Sequence, residues 1–467
     1  MTTQSTSQFV PSTANTVEGL RALVEGDIYT PQSPEYEAAR KTHSLPVNHF
    51  PAVIVRATSA SDVVQTVRFA RSNGFELSVR SGGHNTAGYG VMDDAVVVDM
   101  SSMRRVTVDP AKKTARVQPG STSGDLAGPA HAYGLAVTTG DTSGVGIGGL
   151  ATGGGIGWMV RKYGLTIDNI LSVDVVTADG RLVTANSEQH TDLFWAVRGG
   201  GGNFGIVTEF EFQLAPVGAV YGGALVLPAT KDVIRGIADY VVTAPDELSV
   251  ILNVMAAPPA PFIPAEMVGQ VCAVALVCYT GDPVEGANVL QPLRDLATPI
   301  ADTVAPVPYP VMYAYTDPAN MRSGAAIRST FSDTVPDDVI ESILEHMGRI
   351  TSPLAHVQIR GLGGAMARVG ADETAFAHRE ARYIVTALGI WMNPEDDPAV
   401  HHAWSDSLWE SFQPIRAGVY SNFLHDEGEE RVRDAYPTAT YARLAEVKRQ
   451  YDPENVFHFN QNIKPAA

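Results

Sequence analysis

The chain has 467 residues, enough for two or three domains around a large core. Its 33 lysines and arginines against 51 aspartates and glutamates leave a net charge of −18, which argues against nucleic acid or an anionic membrane surface as partner, since both need basic patches. No run approaches eighteen apolar residues, and the start, MTTQSTSQFV, has neither the basic nor the apolar segment of a secretory leader, so a cytoplasmic location is expected.

Residues 1–14 are mostly polar and read as disordered. PAVIVRA reads as a strand, and SASDVVQTVRFARSNG as a helix capped by Ser59 or Ser61 and stopped by Gly74, with Val63, Val64, Val67 and Ala70 as its apolar stripe. FELSVRSGG and DAVVVDMSSM are two further strands, and RVTVD with TARVQPG a hairpin. A glycine-dense region spans residues 140–157. After it, ILSVDVVTADGRLVTAN reads as a hairpin turning at Asp179 and Gly180, and LFWAVRGGGGNFGIVTEFEFQLAP as a glycine-rich turn with a long strand.

From about Val217 the texture changes: AVYGGALVLPA and LSVILNVMA are strand-like, and DVIESILEHMGRI is an amphipathic helix. In QVCAVALVCYT, Cys272 and Cys278 fall on one face of a strand about 20 Å apart, too far to bridge. They read as reduced core residues, and no zinc or other metal site is expected. The chain ends in a helix and an asparagine-rich tail, YARLAEVKRQYDPENVFHFNQNIKP.

RSGGHNTAGYG, residues 80–90, places a histidine behind two glycines at the end of a strand. Such a turn brings successive N–H groups close to an anion, suiting Arg80, Ser81, Gly82, Gly83, His84 and Asn85 to phosphate. His84 is then either a hydrogen-bonded structural residue or an imidazole beside a cofactor. GVGIGG matches G-x-G-x-x-G at Gly144, Gly146 and Gly149, with Asp168 lying 19 residues beyond. The dinucleotide fingerprint needs an immediate helix, however, and Gly153, Gly154 and Gly155 would together cost one about 3 kcal/mol. An extended, glycine-lined wall against a flat cofactor is the expectation.

Four motifs, RSGGHNTAGYG, GVGIGGLATGGGIGWMVRKYGLTIDNI, LFWAVRGGGGNFGIVTEFEF and YDPENVFHFNQNIKP, occur in the order found in the covalent-flavin oxidases of the vanillyl-alcohol oxidase type, and the chain resembles their berberine-bridge-enzyme-like branch. The resemblance implies an α+β fold: a two-part FAD-binding domain of the PCMH type over residues 15–216, and a substrate domain with an antiparallel sheet backed by helices over residues 217–414. Residues 415–467 then return to the FAD domain. It implies FAD bonded covalently through His84. Thr142 stands where many members have a second linking cysteine, so a single link is expected. Val145 falls where relatives admit oxygen to the flavin, which favours an oxidase. Gly148, Gly149, Gly153, Gly154, Ile206, Val207, Tyr420, Asn460 and Asn462 are the remaining implied cofactor contacts.

Relatives that oxidise alcohols and sugars often show Y-x-N-Y, whose last tyrosine is the proposed base. Here the stretch is YSNF, with Phe423 at that place; Tyr420 is kept, and strand alternation puts the two on opposite faces. HVQIRGLGGAM reads as a strand with His356, Gln358 and Arg360 on one face, lining either a substrate cavity or a solvated surface. FAHREARYIVTALGIW resembles the family strand facing the flavin, which makes His378 and Tyr383 candidate contacts. Tyr420, His378, Gln358 and Arg360 are the candidate catalytic residues. The expected reaction is hydride removal from a small-molecule alcohol, phenol or amine, with O2 as acceptor and H2O2 as product. The alternatives are a monooxygenase using an oxygenated flavin, a flavin-binding protein without turnover, and an NAD-dependent dehydrogenase.

Overall fold

In the computed structural model, which describes residues 12–467, Val53–Arg56, Leu77–Arg80 and Val96–Asp99 are short parallel strands, and Asp27–Tyr29 pairs antiparallel with the first of them. Their near-continuous valine runs suit strands covered on both faces. The helix Ala60–Ser72 is capped by Ser59, whose hydroxyl accepts the Asp62 N–H, and Gly74 follows it at φ +71°. The expectation of a disordered start falls mainly on residues 1–11, outside the described residues. Ala14, at its end, packs into the core of this unit.

Five antiparallel strands form the second sheet, in the order Val106–Asp109, Thr114–Val117, Ile206–Gln213, Ile170–Val176 and Leu182–Asn186. Both hairpins expected from the sequence are present, and Gly180 turns the second at φ +75°. LFWAV forms most of a buried helix, Thr191–Val197, in place of the expected glycine-rich turn and strand at its start.

A third, eight-stranded antiparallel sheet is built from residues beyond 217. Its central strands are Val271–Tyr279, Leu248–Ala256, His356–Gly361 and Tyr383–Trp391. Helices Lys231–Thr243, Asp337–Met347 and Pro398–Ser411 cover one face through a largely apolar core. The other face bears Asn253, Gln358 and Arg360 toward the glycine-rich half of the chain, which Arg360 reaches at Asp141. Cys272 and Cys278 are free and buried on that same face.

The C-terminal helix Thr438–Tyr451 returns to pack on Thr191–Val197. Lys448 and Asp452, both fully buried, hold the tail down. The ammonium donates to the Asp452 carboxylate and to the carbonyls of Asn203 and Phe457, while the carboxylate accepts the N–H groups of Val456 and Phe457.

Candidate active site

The turn after Leu77–Arg80 leaves a run of successive backbone N–H groups, including those of Gly82, Gly83, His84 and Asn85, without a hydrogen-bond acceptor among the described residues. Gly83 sits at φ +72°, the left-handed geometry that curls such a run into an anion-binding concavity. Gly82 lies against Gly146 so closely that a Cβ on either would meet the other's backbone nitrogen within 2.5 Å. A cavity of 310 Å³ opens on this turn, bordered by Lys41, His43, Ser101 and Arg322. Arg80 also borders it, but its guanidinium is committed to Asp99, at 2.6 Å, and to the Lys41 carbonyl, so it braces the turn rather than reaching for an anion. Ser81 Oγ donates to the Pro119 carbonyl, and Asn85 Oδ1 accepts the Tyr89 N–H, so both side chains shape the loop.

His84 lies within the run. Its Nε2 lies 3.2 Å from the Gly144 carbonyl and therefore carries the proton, leaving the Nδ1 lone pair free. Burial holds its pKa down to about 4, the neighbouring His43 adds to the shift, and the Gly144 carbonyl opposes it. His43 stacks on it at 3.9 Å between ring centroids. His84 is thus neutral at pH 7, with one nitrogen anchored and the other available.

Gly144 belongs to the loop that holds Thr142 and Val145. Thr142 is buried, its hydroxyl donating to Asp141, and Val145 is half-buried. Beyond the loop the extended wall expected from the glycines gives way to a helix, Ile147–Gly153. Ile147 and Ala151 are fully buried, and that packing outweighs the poor propensity of Gly148 and Gly149; Gly154 and Gly155 fall past the helix end at φ +143° and +81°. The dinucleotide context is nevertheless missing, because the preceding strand, Leu135–Ala136, pairs antiparallel with Ala215–Pro216 rather than joining a parallel sheet.

The helix spans about 10 Å and ends at Tyr420. A Cβ on Gly154 would lie 3.0 Å from the Tyr420 ring, and one on Gly153 would strike Asn422. The Tyr420 hydroxyl accepts from the Gly155 N–H at 2.7 Å and from Asn422 Nδ2 at 2.9 Å, so its own proton is the one it can still give. Burial raises its pKa, partly offset by the Gly155 and Asn422 donors and by Arg360. It is a donor at neutral pH, not a base. Residues Ser421–Phe423 form a helical turn, which overturns the alternation argument: the Phe423 N–H donates to the Tyr420 carbonyl and the two rings meet at 5.1 Å.

Arg360 stands over Phe423, its guanidinium 5.5 Å from the ring centre, and pairs with Asp141 at 2.6 Å. Its Nε donates to Gln358, whose amide donates to Asn253. The polar face of this strand is therefore buried and connected, not a solvated surface. His356 lies at its far end, bonded to the Leu354 carbonyl.

One candidate is corrected and another is partly committed. The His378 Nε2 donates to the Asp434 carbonyl and its ring stacks on Phe331, which commits one nitrogen and one face to packing. Tyr383 belongs to the core under the helices, its hydroxyl donating to the Ala238 carbonyl, on the sheet face opposite Arg360. Ile206 and Val207 give their side chains to two apolar cores, leaving only their backbone for contacts. Asn460 and Asn462 each bury a side-chain oxygen with no partner. Asp141, His43, Asn253 and Asn422 were missed; Asp141 had a signal in its place next to Thr142, and Asn422 in its place within YSNF.

The unpaired N–H run, the orphaned amide oxygens and the glycine-tight passage fit a flat cofactor with an anionic linker, such as FAD. Residues 51–186 match the family model described as an FAD binding domain, and residues 419–464 the one described as berberine and berberine like. The uncharacterized FAD-linked oxidoreductase YvdP of Bacillus subtilis (strain 168) is 31% identical, with 96% of this chain and 98% of that protein covered. The (R)-6-hydroxynicotine oxidase of Paenarthrobacter nicotinovorans is 30% identical, covering 95% and 98%. The crystal structure of 6-hydroxy-D-nicotine oxidase from Arthrobacter nicotinovorans superposes with a TM-score of 0.84 at 29% identity, over 95% of this chain and 98% of that one.

Proposed function

Because the chain belongs to the berberine-bridge-enzyme-like family of FAD-linked oxidoreductases, we propose that it is an oxidase linked to FAD through His84 alone. In this reading it removes hydride from a small-molecule amine, phenol or alcohol and uses O2 as electron acceptor. FAD, when bound, supplies the two-electron acceptor, and its reoxidation by dioxygen gives hydrogen peroxide.

The observation that carries the reading is the run of unpaired backbone N–H groups around a neutral, anchored imidazole. The run neutralises the diphosphate, and Nδ1 of His84 is the nucleophilic nitrogen for the link. Threonine at position 142 has no thiol to form a second one. The orphaned oxygens of Asn460 and Asn462 accept hydrogen bonds from the ring system. The Tyr420 hydroxyl donates its proton into the site, and Arg360 with Gln358 and Asn253 forms the polar wall that orients substrate. Phe423 cannot take a hydroxyl proton, and Tyr420 holds its own. An amine, which gives up hydride once neutral, suits this site better than a sugar hydroxyl, whose oxidation requires a base. The name of the nicotine-oxidising relative agrees with an amine.

The test is a panel of secondary and tertiary amines, phenols and sugars, scored for anaerobic bleaching of the flavin and then for peroxide in air. Bleaching by amines with one peroxide per turnover is expected. Labelled oxygen from O2 appearing in the product would show a monooxygenase instead, and no bleaching by any member of the panel would refute the substrate class.

A further inference from the structure

We propose that the turn Asp317–Asn320 is a positioning element that sets His84 for its bond to FAD, an inference that rests on the linkage proposed above. The turn lies between two strands of the eight-stranded sheet, Ala305–Pro308 and Gly324–Ser332, far in sequence from the histidine. It grips the loop on which His84 leans. Asp317 Oδ1 accepts the Ser143 N–H at 2.9 Å, and Asn320 Oδ1 accepts the Gly144 N–H at 3.1 Å. The Asn320 amide donates to Ser143 Oγ and to Asp317, locking the two side chains together. The Thr316 hydroxyl, just before the turn, donates to the Asp141 carbonyl.

The same turn holds the second histidine. His43 Nε2 donates to the Ala319 carbonyl at 3.1 Å, which fixes the ring stacked on His84. Gly144 is the crux: its N–H is held by Asn320 and its carbonyl holds His84 Nε2. A Cβ there would lie 2.2 Å from Asn320 Oδ1, so a glycine is needed for the approach, and a glycine released from Asn320 is free to rotate its carbonyl away. The imidazole would then lose the contact that keeps the proton on Nε2 and the lone pair on Nδ1. In linkage His84 Nδ1 would form the C–N bond as one proton leaves the attacked carbon and one leaves the imidazole to solvent. The two electrons of the broken C–H bond pass to the cofactor, from which dioxygen removes them. A misplaced or wrongly protonated ring slows that step while leaving FAD binding intact.

The experiment compares wild type, N320A, D317A, D317N and H84A by total flavin content and by the share of flavin that stays in the acid-washed pellet. We expect N320A and D317A to be purified yellow but to link FAD about 2- to 10-fold more slowly for each hydrogen bond lost, releasing colour to the supernatant. D317N keeps an oxygen acceptor and should restore the pellet share. A pellet share in N320A and D317A equal to wild type, with H84A abolished, overturns the proposal. Retention of pellet flavin in H84A would instead refute the parent reading of His84. Should the alanine variants fail to fold, amide hydrogen exchange on the wild-type holoprotein decides. Protection at Ser143 and Gly144 supports the clamp, and free exchange at both overturns it.

Discussion

Flavin-free protein mixed with FAD should form its acid-stable link at a rate nearly independent of pH from 8 down to about 5. In the proposed linkage the nucleophile is neutral His84, and burial beside His43 holds its pKa at about 4. At pH 5.5 such a group is about 97% neutral, whereas an imidazole at its ordinary value near 6.5 would be only about 9% neutral, a difference of about tenfold in rate. The assay is acid-precipitable flavin fluorescence against time in buffers spanning pH 5 to 8. The same shift bears on stability. The unfolded chain takes up a proton at His84 as pH falls below about 6.5 while the folded, unlinked chain does not until about 4, so the stability is present above that window and lost down through it. The full effect is about 3 kcal/mol, at about 1.36 kcal/mol per pH unit. Urea midpoints of the flavin-free protein should fall through this window and fall less in His84→Gln. A linkage rate that halves near pH 6.5 would refute the reasoning, because it would mean that the ring is solvated and the turn is open.

Arg360→Ala leaves the Asp141 carboxylate without its partner in a mostly buried site and should cost about 3 kcal/mol, read as a lower Tm; adding Asp141→Asn should recover much of the loss, and simple additivity of the two would refute the pairing. Gly154→Ala forces a side chain onto a φ of +143° and against the Tyr420 and Phe376 rings, so a loss of about 1–3 kcal/mol and a changed flavin spectrum are expected. Lys448→Met strands the fully buried Asp452 and should cost about 3–5 kcal/mol, with the tail beyond Tyr451 becoming open to limited proteolysis and Asn460 and Asn462 lost from the site.

The strands and the Ala60–Ser72 helix were legible because their apolar periods, caps and glycine stops are local signals. The site's first motif was legible for the same reason, since a strand followed by two glycines and a histidine states its geometry within a few residues. The helix Ile147–Gly153 was not, because glycine propensity argued against it and only the burial of Ile147 and Ala151 among distant residues reverses the balance. Phe423 was placed on the wrong face because a strand period was applied to what is a helical turn. His378 and Tyr383 had the right chemistry for a site, and nothing in the sequence shows that Asp434 and Ala238 already hold them.

By itself the sequence determined the family and its FAD cofactor, because four ordered motifs encode local backbone shapes that fit one kind of ligand, and it offered a histidine in the first glycine turn as the expected attachment point. Only the tertiary structure decided the state and surroundings of that histidine. Its neutrality comes from burial, its free nitrogen from the carbonyl of Gly144, and beside that carbonyl Asp317 and Asn320 accept the N–H groups of Ser143 and Gly144. Burial and hydrogen bonding at a point are sums over residues that meet only when the chain has folded, and no window of sequence contains them.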